Sequence, residues 1–144
     1  MFTYDAGERN AFLEEWAKSL STGEATAPLR FYADDALVED MAMKKSSRGP
    51  QELKALLQRL YDAAPDTRIV VRRCLTAPTH GVVHWTWTGT LSGKLYGFTM
   101  SAPEPSFSVE GVTVVEFADD GRIASEADYW NAADLLHQVG AVAV

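Results

Sequence analysis

The chain has 144 residues, with 20 acidic against 13 basic side chains and a formal net charge of −7. That length fits one domain with a sizeable core, and the acidic balance excludes the basic surface that nucleic-acid binding requires. Lys44 with Lys45 and Arg72 with Arg73 form only short basic clusters, expected to be solvated faces.

The first predicted element is a helix from Glu8 to Leu20, where Phe12, Leu13, Trp16 and Leu20 make a buried stripe. A short helix is expected from Thr26 to Tyr32, with Pro28 in its first turn. A strand follows at Ala36–Asp40, and Pro50 opens a third helix carrying Leu53, Leu56, Leu57 and Leu60. From Thr67 the pattern changes to strands. They are expected at Thr67–Cys74, Gly81–Gly89, Leu95–Met100, Ser106–Phe117 and Arg122–Tyr129, with a tight turn at Asp119, Asp120 and Gly121. A last helix spans about Asn131 to Val139 and stops at Gly140. Helices followed by a run of antiparallel strands make an α+β plan, helices on one face of a curved sheet.

Nothing at the N-terminus looks like a secretion signal, since a basic segment followed by an apolar one is lacking. No apolar run approaches the roughly 18 residues of a membrane span. The single cysteine, Cys74, excludes an internal disulfide and fits a reducing compartment. A cytoplasmic protein is therefore expected, with no membrane and no nucleic-acid partner.

Asp128 is the residue of greatest interest. Strand parity places it on one face with Glu126 and Trp130, and Trp130 makes that face apolar. An inward carboxylate costs several kcal/mol unless it is paired, hydrogen-bonded or protonated. It reads either as a general base in proton transfer or as a buried Asp that caps a loop or meets a cation. Asp40 reads as a second acid, as the base itself, or as a strand-end residue holding the Met41–Ser47 loop. Glu126 is expected half-exposed at the rim of the same pocket.

Val83, Trp85 and Trp87 share one face of their strand. With Trp16, Phe107 and Trp130 they could form a wall for a flat hydrophobic substrate. Thr113 and Tyr32 are candidate hydroxyl donors. His80, His84 and His137 lack metal-ligand spacing, and no metal site is expected. No phosphate loop or dinucleotide fingerprint is present, so no cofactor is implied.

Several stretches carry a resemblance: Val83–Thr90, Phe107–Phe117, the run Asp120 to Ile123, Glu126–Trp130 and Leu135–Gly140. In these the chain resembles the SnoaL-like polyketide cyclases of the NTF2-like superfamily. The resemblance implies one domain over residues 1–144, a cone-shaped α+β barrel whose curved antiparallel sheet wraps over three N-terminal helices. It places that family's catalytic acid/base on Asp128. The stretch Phe31–Asp40, followed by Arg48 and Gly49, is similar to the ketosteroid isomerases of the same fold and puts their base on Asp40. Their two acidic oxyanion donors would fall on Trp16 and Thr113, which are not acids, while Tyr32 matches a supporting tyrosine. Limonene-epoxide hydrolases are related too. One of their aspartates matches Asp128, but their Arg and second Asp fall on Gly111 and Thr113, so that set is broken.

The resemblance thus implies a cofactor-independent enzyme acting on a hydrophobic carbonyl compound, by ring closure through Asp128. The alternatives are a double-bond isomerase using Asp40 and a small-molecule binding module without chemistry. It also implies a homodimer, for which the outward positions Val82, His84, Val112 and Val114 offer a sheet-to-sheet contact.

Overall fold

The structure, a computed structural model, describes residues 4–92, 98–100 and 104–143, with side chains for all of these but 98–100 and 142–143. Helix α1 spans Ala6–Leu20. Asp5 caps it by accepting a bond from Glu8 N at 2.9 Å, which satisfies one of the first-turn donors. Its inner stripe buries Leu13, Trp16 and Ala17. The expected second helix is only a 3-10 turn, Ala27–Phe31. Pro28 contributes no N–H there, and five residues are too few for an α-helix to propagate.

Strand β1 follows directly, Tyr32–Asp40, four residues earlier than its sequence pattern suggests. A break in register between Tyr32 and Leu37 hides the alternation. The sequence reading missed β2, Lys45–Arg48, an all-polar strand that pairs with β1 after a turn in which Lys44 has φ 55°. Helix α2, Gly49–Ala63, carries Pro50 in its first turn. Strands β3 (Arg68–Thr76), β4 (His80–Thr90), β6 (Ser106–Phe117) and β7 (Ile123–Trp130) lie close to expectation. Of the expected Leu95–Met100 strand, Phe98–Met100 forms β5, and residues 95–97 lie outside the described residues. Helix α3 spans Ala132–Gln138. Beyond it β8, Ala141–Ala143, pairs with β5, a three-residue contact with no sequence signal.

Six strands make one sheet in the order β2-β1-β7-β6-β4-β3. The sheet is curved and open, with β2 and β3 at its edges, and α1 packs against β3 while α2 packs against β1. This is the α+β cone that the resemblance implies. One pairing departs from the antiparallel run: β1 lies parallel to β7 and sets Asp40 beside Asp128. Parallel neighbours need a long crossover, and here everything from β2 to β6 separates them, so no local pattern announces the pair.

The inner face of β6 alternates Phe107, Val109, Gly111, Thr113, Val115 and Phe117, all buried. Gly111 is the gap in that row, and the Trp85 ring fills it. A Cβ at Gly111 would stand 2.3 Å from the nearest Trp85 ring carbon. Trp85 is 7% exposed, so its ring has little room to retreat. Gly111→Ala is therefore expected to destabilise the fold by about 1–3 kcal/mol through overpacking. Urea unfolding with tryptophan fluorescence would measure this, and an unchanged midpoint would contradict it.

Candidate active site

A cleft opens between the helices and the inner face of the sheet, with about 850 Å3 of empty space including its mouth. The cavity volume proper is about 140 Å3. Leu53, Leu56, Leu57 and Leu60 of α2 form one wall, and Trp85, Trp87 and Trp130 form the other. The α2 leucines were legible as a stripe but looked like plain core. Among the described residues, three carboxyls line the cleft, Asp40, Glu126 and Asp128, and no Lys, Arg or His does.

Two hydrogen-bond chains converge on these carboxyls. In the first, Trp16 Nε1–H donates to Tyr32 Oη at 2.8 Å, and Tyr32 O–H donates to Glu126 Oε1 at 2.5 Å. In the second, Trp85 Nε1–H donates to Thr113 Oγ1 at 2.8 Å, and Thr113 O–H donates to Asp128 Oδ1 at 2.6 Å. The Glu126 and Asp128 carboxyls hydrogen-bond to each other and join the chains. Strand register builds the set: Thr113 of β6 faces Asp128 of β7, and Asp40 of β1 lies on its other side.

Burial raises the pKa of Asp128 to about 6. The bonds from Glu126 and Thr113 hold it down, and the charge on Asp40 pushes it up. Glu126 lies well above the ordinary carboxylate range, through burial first and then the neighbouring charge and hydrogen bond of Asp128. Tyr32 is raised far above an ordinary phenol, again by burial and then by Glu126.

The structure corrects the expected position of Glu126. It is 5% exposed, on the floor of the cleft and not at its rim. The parity argument found its face but not its depth, which depends on Tyr32 arriving from β1. Trp16, Tyr32, Trp85, Trp87, Thr113 and Trp130 all line the cleft. Val83 and Phe107 do not. Val83 is fully buried in the core, and Phe107 packs edge-on against Trp87 behind the wall, ring centroids 4.7 Å apart. Trp87 also meets Trp130 edge-on at 5.7 Å.

Asp40 Oδ1 accepts three bonds, from the backbone N–H groups of Ala42 and Met43 and from Trp130 Nε1, each at 3.0 Å. It thereby anchors both the turn after β1 and the indole of Trp130. Cys74 bonds Asn10 Oδ1, and burial raises its pKa, the opposite of what a nucleophilic thiol needs. His80 and His84 meet Glu116 and Glu110 outside the cleft. Among the described residues, no three His, Cys, Asp or Glu side chains are placed to hold a metal ion, and no helix is long and apolar enough to cross a membrane.

The fold is that of the ketosteroid-isomerase-like, NTF2-like proteins. A Catenulispora acidiphila protein of ketosteroid isomerase-like fold, solved in complex with trimethylamine, superposes with a TM-score of 0.78 at 18% identity, over 90% of this chain and 92% of that one. TsrD from Streptomyces laurentii gives 0.81 at 18% identity, over 97% and 100%. AclR from Streptomyces galilaeus gives 0.79 at 20% identity, over 94% and 98%. No curated protein matches the chain. The profile of the SnoaL-like polyketide cyclases matches residues 10–139, and the chain belongs to that family.

The raised pKa of Asp128 has a stability consequence. Its folded value lies above the ordinary value of 3.8, so the folded state holds this proton more tightly than the unfolded chain does. The stability this provides is complete below about pH 4 and is lost as pH rises through about 6. Asp128→Asn removes the buried charge and keeps the shape. It is expected to be more stable than wild type at pH 7 by about 1–3 kcal/mol, with the gain vanishing below about pH 4. Denaturant unfolding across pH measures this, and a variant less stable at neutral pH would contradict it.

Proposed function

We propose that this chain is a cofactor-independent acid/base enzyme that closes a ring in a hydrophobic, polyketide-type carbonyl compound, with Asp128 as the base. The observation that carries this reading is a carboxyl with a pKa of about 6 lining an apolar cleft in which no described residue supplies a cation. Such a group is ionised at neutral pH yet basic enough to take an acidic C–H proton. Family membership supports the reaction class.

In the proposed reaction Asp128 removes a proton next to a carbonyl, leaving an enolate. The enolate carbon adds to a second carbonyl of the same molecule, forming the ring bond and an alkoxide. The alkoxide takes one proton from the carboxyl pair, which returns to its starting state, so no oxidant or external acid is consumed. A neutral substrate fits best, because an anion would meet Asp40 and Asp128 with no cation among the described lining residues to hold it. The indole faces and the α2 leucines suit a flat, extended ring system, over which the enolate charge can spread.

Asp128 is favoured over Asp40 because Asp40 Oδ1 already accepts three bonds that hold a turn and an indole. The test is α-proton exchange in heavy water, followed by mass spectrometry, on polyaromatic β-keto esters and cyclic enones. Asp128→Asn should lower exchange by about 10²–10⁴-fold, while Asp40→Asn keeps most of it. Loss in Asp40→Asn alone would point to an isomerase instead. Absence of exchange in wild type, with substrates that bind, would leave a binding module.

A further inference from the structure

Two indoles bias the direction of the hydroxyl bonds to Glu126 and Asp128. A tryptophan N–H only donates. Trp16 therefore occupies an acceptor site of the Tyr32 hydroxyl, and the Tyr32 proton points to Glu126 Oε1. Trp85 does the same to Thr113, whose proton points to Asp128 Oδ1. Each carboxyl thus meets, at one oxygen, a hydroxyl whose acceptor side is already partly taken by an indole N–H, which favours donation to the carboxyl.

The contact between the two carboxyls then needs one proton of its own. Two ionised carboxylates in contact would repel, and two protonated ones would waste the short bonds of the hydroxyls. Those bonds, 2.5 and 2.6 Å, are short O–H···O contacts. One negative charge across the pair lets both hydroxyls donate. Burial decides which member is neutral: Glu126 is 5% exposed on the floor, while Asp128 is only half-buried towards the open cleft. The deeper carboxyl loses more hydration on ionising. The other titratable groups lining the cleft are Tyr32 and Asp40, both on β1. Tyr32 stays a neutral donor, and Asp40 adds charge on the Asp128 side.

We propose that Glu126 and Asp128 work as one proton-sharing pair with a single negative charge, in which Glu126 holds the stored proton and positions Asp128 as the ionised, substrate-facing member. Glu126 is then a positioning residue that acts through Asp128. This deepens the acid/base reading of the cleft without depending on it, because protonation is observable with no substrate present.

The test is 13C NMR of the full-length chain with labelled Asp and Glu carboxyl carbons, followed across pH. One Glu carbon should keep the shift of a protonated acid at neutral pH, and that signal should vanish in Glu126→Gln. The glutamine amide can still accept from Tyr32 and donate to Asp128, so the geometry is kept while the proton is not transferable. The Asp128 carbon, identified by its loss in Asp128→Asn, should read as ionised at neutral pH. If Glu126→Gln does not fold, through-bond assignment in the wild-type chain gives the same reading. A Glu126 carbon with a carboxylate shift at neutral pH would overturn the proposal, as would a proton retained on Asp128 while Glu126 ionises. Failure here leaves the exchange experiment standing, and the absence of exchange leaves this one standing.

Discussion

A carboxyl in an apolar cleft, with no basic side chain among the described residues that line it, is the constraint around which this molecule is arranged. Among the described residues Asp128 has no ion pair, because none of those lining the cleft is basic. Its described partners are hydrogen bonds, from Thr113 and with Glu126. Hydrogen bonds to a charged acceptor are worth roughly 1.5–3 kcal/mol each, enough to keep the group ionised near neutrality but not enough to restore an ordinary pKa. A salt bridge would have pulled it well down. The site is thus tuned by what it omits as much as by what it contains.

The supporting frame explains several features that look unrelated. The parallel pairing of β1 with β7 brings Tyr32 to Glu126 and Asp40 to Asp128 from a segment some ninety positions away in sequence. Gly111 leaves the space into which the Trp85 ring lies, and that placement lets its N–H reach Thr113. Asp40 fixes Trp130, whose ring meets Trp87 at the wall of the cleft. Indoles therefore serve twice, as apolar wall and as donors of fixed direction. At Gly111, where the resemblance to limonene-epoxide hydrolases would put an arginine, the Trp85 ring fills the space.

Much of the fold was legible because long periodic segments announce themselves. The stripe of α1, the leucines of α2 and the alternation of β4 and β6 were read within a few residues. Short or polar elements were not: β2 is four residues without an apolar face, and β8 pairs only across the chain. In the site, parity found the shared face of Glu126, Asp128 and Trp130. Depth was invisible, since Glu126 is buried by contacts from β1 that depend on the parallel crossover. Val83 and Phe107 share a face with the cleft tryptophans yet stand in the core, because burial by neighbouring helices is not written in a strand's alternation. Hydrogen-bond direction was also beyond the sequence, since it requires knowing which indole meets which hydroxyl.

Neutron diffraction from a deuterated crystal at neutral pH tests the central claim most directly, because it locates the protons themselves. The account expects a deuteron on Glu126 directed at Asp128, with the hydroxyl deuterons of Tyr32 and Thr113 directed at Glu126 and Asp128. An ionised Glu126, a deuteron on Asp128 in its place, or a Thr113 hydroxyl turned away from Asp128 would contradict it.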